Sequence, residues 1–314
     1  NGREGVEKAK SLRPDVITMD IEMPEMDGLT ALRKIMSECP TPVVMVSSLT
    51  TAGSHAALRA LQIGAVDIAA KDTSQISLKI MDLRDDLIAK VKAAAQSQLK
   101  KSRPAVGRRE ERTPPLDPKR IDVLVIGSST GGPPVVESIL VSLPADFCTP
   151  IVVAQHMPPL FTRSLAERLD ERCALSVFHG ESGMDLAAGS AYIIPGGQHG
   201  RVTRGIGRRL ALQVNKKPEG LLYKPSVNEL MASAAKVCGA RVLGVMLTGM
   251  GEDGLEGARE LVGAGGVLLA QSEETCVVYG MPKAVTQAGL ASASLSPQRL
   301  ALTLRPLRAV STVS

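Results

Sequence analysis

The segment IDVLVIGSSTGGPP, residues 121–134, constrains the fold of this chain more than any other. Residues 123–126 form a continuous run of apolar, mostly β-branched side chains, which is typical of a strand buried on both faces of a parallel sheet. Residues 127–131 then spell G-x-S-x-G, and apolar residues recur at spacings of three and four through residues 135–143. The pattern therefore predicts a strand, a tight turn that carries Ser129, and a helix.

A serine on such a turn can have more than one role. G-x-S-x-G between a strand and a helix is the context of a nucleophile elbow, in which the serine stands clear of the sheet. Backbone N–H groups at the helix start would then lie where they can stabilise an oxyanion. Glycine-rich turns also bind phosphate groups or simply reverse the chain, so the motif alone does not decide between these alternatives.

The composition limits the class of protein. A chain of 314 residues is long enough for two domains with hydrophobic cores. No apolar run approaches the roughly 18 residues of a membrane span, and the N-terminus is polar, so we expect a cytoplasmic protein without membrane insertion. The five cysteines include no C-x-x-C pair, which argues against a disulfide framework and a zinc site.

The net charge of +5 is concentrated in one segment. Residues 96–120 contain eight basic and three acidic residues, an excess equal to that of the whole chain, together with four prolines. This composition predicts an exposed linker whose charges are solvated. Because the chain also has no Trp, three Tyr and three Phe, it offers few platforms for base stacking, and we expect no nucleic-acid binding.

The first hundred residues alternate between strand and helix patterns, which predicts an α/β domain. Its three predicted strands end near Asp20, Ser47 and Lys71, and the carboxyl ends of parallel strands share one edge of a sheet. There a carboxylate could accept a phosphoryl group, a hydroxyl could hydrogen-bond it, and a lysine could pair with its charge. The same residue types also cap helices or solvate loops, so each is weak evidence alone.

The second half of the chain repeats the alternation and places three chemically related side chains after strands. Ser129, His156 and Asp253 each follow a predicted strand. A serine hydroxyl becomes a strong nucleophile when an imidazole takes its proton, and a carboxylate orients that imidazole. The trio therefore favours a serine hydrolase. Two other readings are a nucleotide-binding module, with GSSTGG and TGMGEDG as phosphate loops, and a signalling regulator without turnover.

The run TMDIEMPEMDG, residues 18–28, makes residues 1–95 resemble a response-regulator receiver domain. The resemblance implies that Asp20 is the phosphorylation site, Ser47 the switch hydroxyl and Lys71 the phosphate-pairing lysine. It also implies that Asp20 and the backbone carbonyl of Glu22 contribute to a Mg²⁺ site used in phosphorylation of the complete domain, with a chemotaxis histidine kinase as phosphodonor.

The receiver resemblance is incomplete in two ways. The family's first strand, with its pair of acidic residues, has no counterpart before Asn1, so we expect a truncated receiver with an incomplete metal site that phosphorylates poorly and leaves the second half of the chain partly unrestrained. In addition, Asp72 stands after Lys71 where the family usually has proline, and Ile68 occupies the usual aromatic switch position.

Four stretches, GSSTGG, VAQHMPPLFTRSLAERL, LTGMGEDG and CVVYGMPKAV, resemble the catalytic domain of the chemotaxis protein-glutamate methylesterases (CheB-type), which join it to a receiver. The resemblance implies that Ser129 is the nucleophile, His156 the general base and Asp253 the orienting carboxylate. Thr130 and Met250 would supply oxyanion N–H groups. Ser128 replaces the family's usual alanine, and we assign the nucleophile to Ser129 because it is central in G-x-S-x-G.

The activity implied by this resemblance is hydrolysis of glutamate methyl esters on methyl-accepting chemoreceptors, with deamidation of receptor glutamines as a second activity. It implies no cofactor for catalysis, and regulation by receiver phosphorylation in the full-length protein.

The predicted fold is α/β, with two doubly wound parallel-sheet domains. They are a partial flavodoxin-like receiver at 1–95 and a Rossmann-like methylesterase domain at 120–308, with a linker at 96–119 and a tail at 309–314.

Three further features are interpreted more simply. KPSVNEL, residues 224–230, is expected to face the active-site cleft, and its role is left open. Lysine and asparagine stand in it where the family often has arginine and aspartate. Cys276 and Met281 are expected to pack in the core.

Overall fold

A computed structural model describes residues 1–71, 79–97 and 121–307, apart from the side chains of 79–83 and Arg208. The chain forms two compact units, Asn1–Val106 and Gly107–Ser314. Nearly all of the predicted linker at 96–119 and the whole predicted tail at 309–314 lie outside the described residues. The domain boundaries therefore stay predictions, and each unit is considered by itself.

The first unit is a three-stranded parallel sheet with helices. Its elements are α1 (Gly2–Leu12), β1 (Ile17–Asp20), α2 (Gly28–Glu38), β2 (Val43–Ser48), α3 (Thr51–Ile63), β3 (Asp67–Lys71) and α4 (Lys79–Gln96). The strand order is β1-β2-β3, and both pairings are parallel. Because the strands run in one direction, Asp20 at the end of β1 and Lys71 at the end of β3 lie at the same edge.

Local capping explains where helices of this unit begin. The carboxylate of Asp27 accepts a hydrogen bond from Thr30 N at 2.7 Å and starts α2. The hydroxyl of Thr50 accepts from Gly53 N at 3.0 Å and starts α3. Gly64 ends α3 with a φ of +121°, a conformation that favours glycine. The side chains of Asp27 and Thr50 satisfy N–H groups that a helix start leaves without partners.

The second unit is built on a larger parallel sheet. Its elements are β4 (Val123–Ser128), α5 (Gly132–Val141), β5 (Ile151–Gln155), α6 (Pro159–Arg172), β6 (Ser176–His179), β7 (Ser190–Ile193), β8 (His199–Arg204), β9 (Leu210–Asn215), α7 (Val227–Cys238), β10 (Val242–Met246), α8 (Leu255–Gly263), β11 (Val267–Gln271), α9 (Met281–Gln287), β12 (Ala293–Leu295) and α10 (Pro297–Leu304). Seven strands pair in the order β12-β11-β10-β4-β5-β7-β6, all in parallel.

The strand order contains a topological switch point beside β4. From β4 the chain moves to β5 on one side, and later it returns to β10 on the other side. In open parallel sheets, the crevice at the carboxyl ends of strands beside such a switch is the usual ligand site. Every residue of β4, β5 and β10 is buried, which agrees with strands covered on both faces. The predicted site residues follow these three strands.

The predicted fold class, with two parallel α/β sheets, is confirmed. The antiparallel hairpin of β8 and β9, and the short strands β7, β11 and β12, were not predicted from the sequence. Most of these segments mix small and polar residues with apolar ones, so their local pattern does not distinguish a strand from a loop. The exception is β11, whose apolar run VLLA does have the pattern of a buried strand. No helix in the described ranges is both long and apolar enough to cross a membrane.

Gly127, in β4, permits the close packing of β4 against the start of α7. A Cβ atom at Gly127 would lie 2.3 Å from Cγ1 of Val227, so Gly127→Ala overpacks this contact. We expect a loss of about 1–3 kcal/mol in the free energy of unfolding. Chemical denaturation of the full chain measures it. Gly263→Ala is the matched control, because its Cβ would meet nothing within 4 Å, and it should leave stability unchanged or raised. Equal effects of both substitutions would contradict the packing argument.

Candidate active site

The ends of β4 and β5 bring Ser129 and His156 side by side. Ser128 and Gln155 are register partners at the ends of the two strands, and His156 N donates to Ser128 O at 3.0 Å. The Gln155 side-chain amide donates to Ser129 O at 2.9 Å. These bonds extend the pairing by one residue, so Ser129 and His156 leave the sheet as neighbours.

His156 and Asp253 form a buried hydrogen-bonded pair. Nε2 of His156 lies 2.9 Å from Oδ2 of Asp253, and their side chains are 8% and 6% exposed. Nδ1 of His156 is buried, and no described residue hydrogen-bonds to it. With the Nε2 proton directed at the carboxylate, a neutral imidazole keeps its lone pair on Nδ1. The arrangement therefore presents Nδ1 as the basic atom.

The N-terminus of α7 holds the carboxylate of Asp253. Oδ1 accepts from Ser226 Oγ at 3.0 Å and from Asn228 N at 3.2 Å, while Oδ2 accepts from Val227 N at 2.7 Å. Burial raises the pKa of Asp253, but hydrogen bonds and charge from His156, and the two backbone N–H groups, outweigh it and lower the pKa below its usual value. Asp253 is therefore an anion at neutral pH, suited to orient an imidazole.

Asn228 joins the start of α7 to the loop that carries Asp253. Its Oδ1 accepts from Gly254 N at 3.0 Å and from Gly257 N at 2.8 Å, and so caps α8 from a neighbouring helix. The interpretation of KPSVNEL left this role open. The sequence does signal the start of α7, since Ser226 and Glu229 have capping-box spacing and Ser226 Oγ accepts from Glu229 N at 3.4 Å, but it carries no signal for the contact of Asn228 with α8.

The two adjacent serines lie in different environments. Ser128 is fully buried, and its Oγ has no hydrogen-bond partner among the described residues. The Oγ atom of Ser128 lies beneath the start of α5, only 1.9 Å from where a Cβ on Gly132 would stand. Ser129 is 9% exposed, on the turn itself. The structure places Ser129 beside His156, but no hydrogen bond joins their side chains within the described ranges.

The residues predicted for the oxyanion site flank Ser129. Oγ1 of Thr248, two residues before Met250, donates to Thr130 O at 3.0 Å and so ties the loop after β10 to the turn after β4. A Cβ on Gly249 would lie 2.7 Å from Cβ of Ser129, so glycine is needed for this approach. Met250 N donates to no other described residue. The roles of Thr130 and Met250 stay predictions.

An aromatic ring that the sequence reading missed covers one face of His156. The rings of Tyr223 and His156 are stacked with centroids 4.4 Å apart and planes 2° apart. Tyr223 lies in the irregular segment just before α7, where no periodicity points to a site. Only the tertiary fold brings it to His156.

The other three histidines do not join this pair. His199 is buried, and its Nδ1 accepts from Ser226 N at 3.3 Å while its Nε2 lies 3.1 Å from Pro218 O. Burial lowers the pKa of His199 and of His179. His55 lies within α3 of the other unit. Cys276 and Met281 are buried, as expected.

The predicted phosphorylation site of the first unit is partly assembled. Lys71 Nζ pairs with Oδ2 of Asp20, and Glu22 N lies 3.4 Å from Oδ1. Ser47 is buried, and its Oγ donates to Gly53 O at 3.0 Å rather than to Asp20. No group of three or more His, Cys, Asp or Glu side chains in the described ranges could hold a metal. One carboxylate and the Glu22 carbonyl do not make a complete Mg²⁺ site.

Comparison with known proteins agrees with both units. A family model described as CheB methylesterase matches residues 124–304, and one described as response regulator receiver domain matches residues 1–81. The crystal structure of the Thermotoga maritima CheB methylesterase catalytic domain is 39% identical, with a TM-score of 0.57 over 60% of this chain and 98% of that one.

Two curated relatives extend the similarity over both units. A protein-glutamate methylesterase/protein-glutamine glutaminase of Oleidesulfovibrio alaskensis is 50% identical over 320 residues, and one of Nitratidesulfovibrio vulgaris is 48% identical over 326. Each comparison covers 93% of this chain and 86% of the relative. These matches favour the serine-hydrolase reading over the nucleotide-binding and non-enzymatic readings.

Removal of the Asn228 amide should loosen the Asp253 loop. Asn228→Ala leaves the N–H groups of Gly254 and Gly257 without their acceptor, and we expect a loss of about 1–2 kcal/mol in the free energy of unfolding. We also expect slower reaction of the site serine with a fluorophosphonate. Asn228→Asp keeps an oxygen acceptor and should retain most of both properties. Wild-type behaviour of the alanine variant in both assays would contradict the assigned role.

Proposed function

The chain belongs to the CheB methylesterase family and carries a response-regulator receiver domain, and from that premise we propose that it hydrolyses glutamate methyl esters on methyl-accepting chemoreceptors. We propose deamidation of receptor glutamines as a second activity. The observation that carries the proposal is the buried His156–Asp253 pair, which leaves Nδ1 as the base beside Ser129 at the switch point of the sheet.

The first step forms an acyl-enzyme. Oγ of Ser129 attacks the ester carbonyl carbon, its proton passes to Nδ1 of His156, and the carbonyl electron pair moves onto oxygen. Asp253 stabilises the imidazolium through the Nε2 hydrogen bond. The N–H groups of Thr130 and Met250 are proposed to bind the oxyanion, where such donors contribute most. When the intermediate collapses, the C–O bond to methanol breaks, and the Nδ1 proton goes to the leaving oxygen.

The second step restores the enzyme. A water molecule gives a proton to Nδ1 and attacks the acyl carbon, and the proton then returns to Oγ of Ser129 as the glutamate is released. The balance is one ester and one water to one carboxylic acid and one methanol. With a glutamine side chain, the leaving group is ammonia. Protein groups carry every step, so this proposal includes no cofactor.

The receiver domain, residues 1–95, is proposed to control this activity, which we place in the cytoplasm. The linker, residues 96–119, would join it to the catalytic domain, residues 120–308. Asp20 would accept a phosphoryl group from a chemotaxis histidine kinase, and Lys71, which already pairs with it, would neutralise the added charge. Ser47 would have to leave Gly53 O to bind the phosphoryl group. No step is assigned to Mg²⁺, because no group of three or more acidic side chains that could hold a metal lies in the described ranges.

Methanol release from methylated receptor membranes tests the reaction and its nucleophile. Ser129→Ala removes the attacking oxygen and should lower release by at least about 10³-fold, since nucleophile and base act as a unit. Ser128→Ala removes a buried hydroxyl without a partner, so it should keep wild-type release and leave stability unchanged or raised by about 1–3 kcal/mol. Release that survives Ser129→Ala but is lost in Ser128→Ala would move the nucleophile to Ser128.

Labelling with acetyl phosphate in a Mg²⁺ buffer tests the receiver site. We expect slow labelling, because the described ranges contain no group of three or more acidic side chains that could hold Mg²⁺. Labelling should be lost completely in Asp20→Asn. Lys71→Ala removes the paired ammonium and should slow labelling further, by about 10-fold or more. Glu25→Gln is a control for the loss of a nearby negative charge. Label that persists in Asp20→Asn would contradict the assignment of Asp20.

A further inference from the structure

Tyr223 has the strongest contact with the proposed machinery that the mechanism above does not use. Its ring lies flat against the imidazole of His156, with centroids 4.4 Å apart and planes 2° apart. Resting on the proposed function, we infer that Tyr223 is a positioning residue. It fixes the ring plane of His156, so that Nδ1 faces the serine while Nε2 faces Asp253.

The hydrogen bond to Asp253 cannot fix the imidazole alone. It holds the ring at Nε2, and the Cβ–Cγ bond holds it at Cγ, so the ring plane can still turn about the line between these two atoms. Nδ1, on the other side of the ring, receives no hydrogen bond from any described residue. The ring plane must therefore be held by packing, and the stacked face of Tyr223 supplies such packing.

The hydroxyl end of Tyr223 reaches the loop after β10. Oη lies 3.3 Å from where a Cβ on Gly251 would stand, and Gly251 follows Met250, a proposed oxyanion donor. Three residues beyond Tyr223, Ser226 donates to the Asp253 carboxylate. The ring thus spans from the base to the oxyanion loop, and its segment continues into the helix that holds the acid.

The surroundings of Tyr223 argue against a role in core packing. Tyr223 is only half-buried, in an irregular segment, and it is not part of the hydrophobic core. Leu222 beside it is 86% exposed. The electron-rich face of a phenol ring also favours a cation, so the stack stabilises the imidazolium formed when Ser129 loses its proton.

The test compares variants that keep or remove the ring. Tyr223→Phe keeps the stack, Tyr223→Leu removes it, and Tyr223→Met is a second ring-free variant in case the leucine variant does not fold. Leu222→Ala is the matched control, a neighbouring side chain that faces solvent. For each variant, the measurements on the full chain are kcat and KM for methanol release, the rate of fluorophosphonate labelling, and the ¹⁵N chemical shifts of the His156 ring, which report its tautomer.

We expect the ring-free variants to lose about 3- to 30-fold in kcat and labelling rate with KM unchanged. Their ¹⁵N shifts should move from a single tautomer with the proton on Nε2 towards an average of both tautomers. Tyr223→Phe and Leu222→Ala should behave as wild type in all three measurements. A role in folding alone would lower the active fraction without changing the tautomer.

Two outcomes would overturn the inference. One is a ring-free variant with the wild-type tautomer and kcat, and the other is a phenylalanine variant as impaired as the leucine variant, which would assign the effect to the hydroxyl. Failure of the proposed function is separate. In that case the wild-type chain itself would neither react with the fluorophosphonate nor release methanol. The ¹⁵N shifts would still show whether Tyr223 fixes the tautomer of His156.

Discussion

A carboxylate is stable inside a protein only where hydrogen-bond donors replace the water that it has lost, and the catalytic unit is organised around one such group. Asp253 receives hydrogen bonds from Ser226, Val227 and Asn228 at the start of α7, and from His156. Two distant parts of the chain thus converge on one anion. The same contacts lower its pKa, keep it charged and set which nitrogen of the imidazole is free to act as a base.

The sheet topology makes this convergence possible. Because β4 lies between β5 and β10 and all three run in parallel, the residues after them meet at one edge. Glycine at position 249 allows the loop after β10 to approach Ser129 more closely than any other residue would. The roles proposed for Ser129, His156 and Asp253 resemble those of a serine-protease triad, but here Nε2 of the histidine pairs with the acid. The proposed proton transfers follow from the orientation of the imidazole rather than from the order of residues along the chain.

The first unit uses the same principle with another chemistry. Its parallel strands bring Asp20 and Lys71 to one edge, where they pair directly. The hydroxyl of Ser47 is instead bonded to the backbone of α3. A phosphoryl group on Asp20 would compete with the present ion pair and offer a new acceptor to Ser47. In both units, the proposed reactive groups are side chains at the ends of parallel strands, and neighbouring helices or strands supply their partners.

The sequence by itself determined the fold class, the alternation of strands and helices, and the family, because buried parallel strands leave continuous apolar runs and the motifs around Ser129, His156, Asp253 and Asp20 are local. It did not determine the hairpin of β8 and β9, the capping of α8 by Asn228, or the stack of Tyr223 on His156. These features join residues that are far apart in the chain or lie in segments without periodicity. Contacts of this kind depend on how the elements pack, so only the tertiary structure decided which nitrogen of His156 is free and what holds its ring in place.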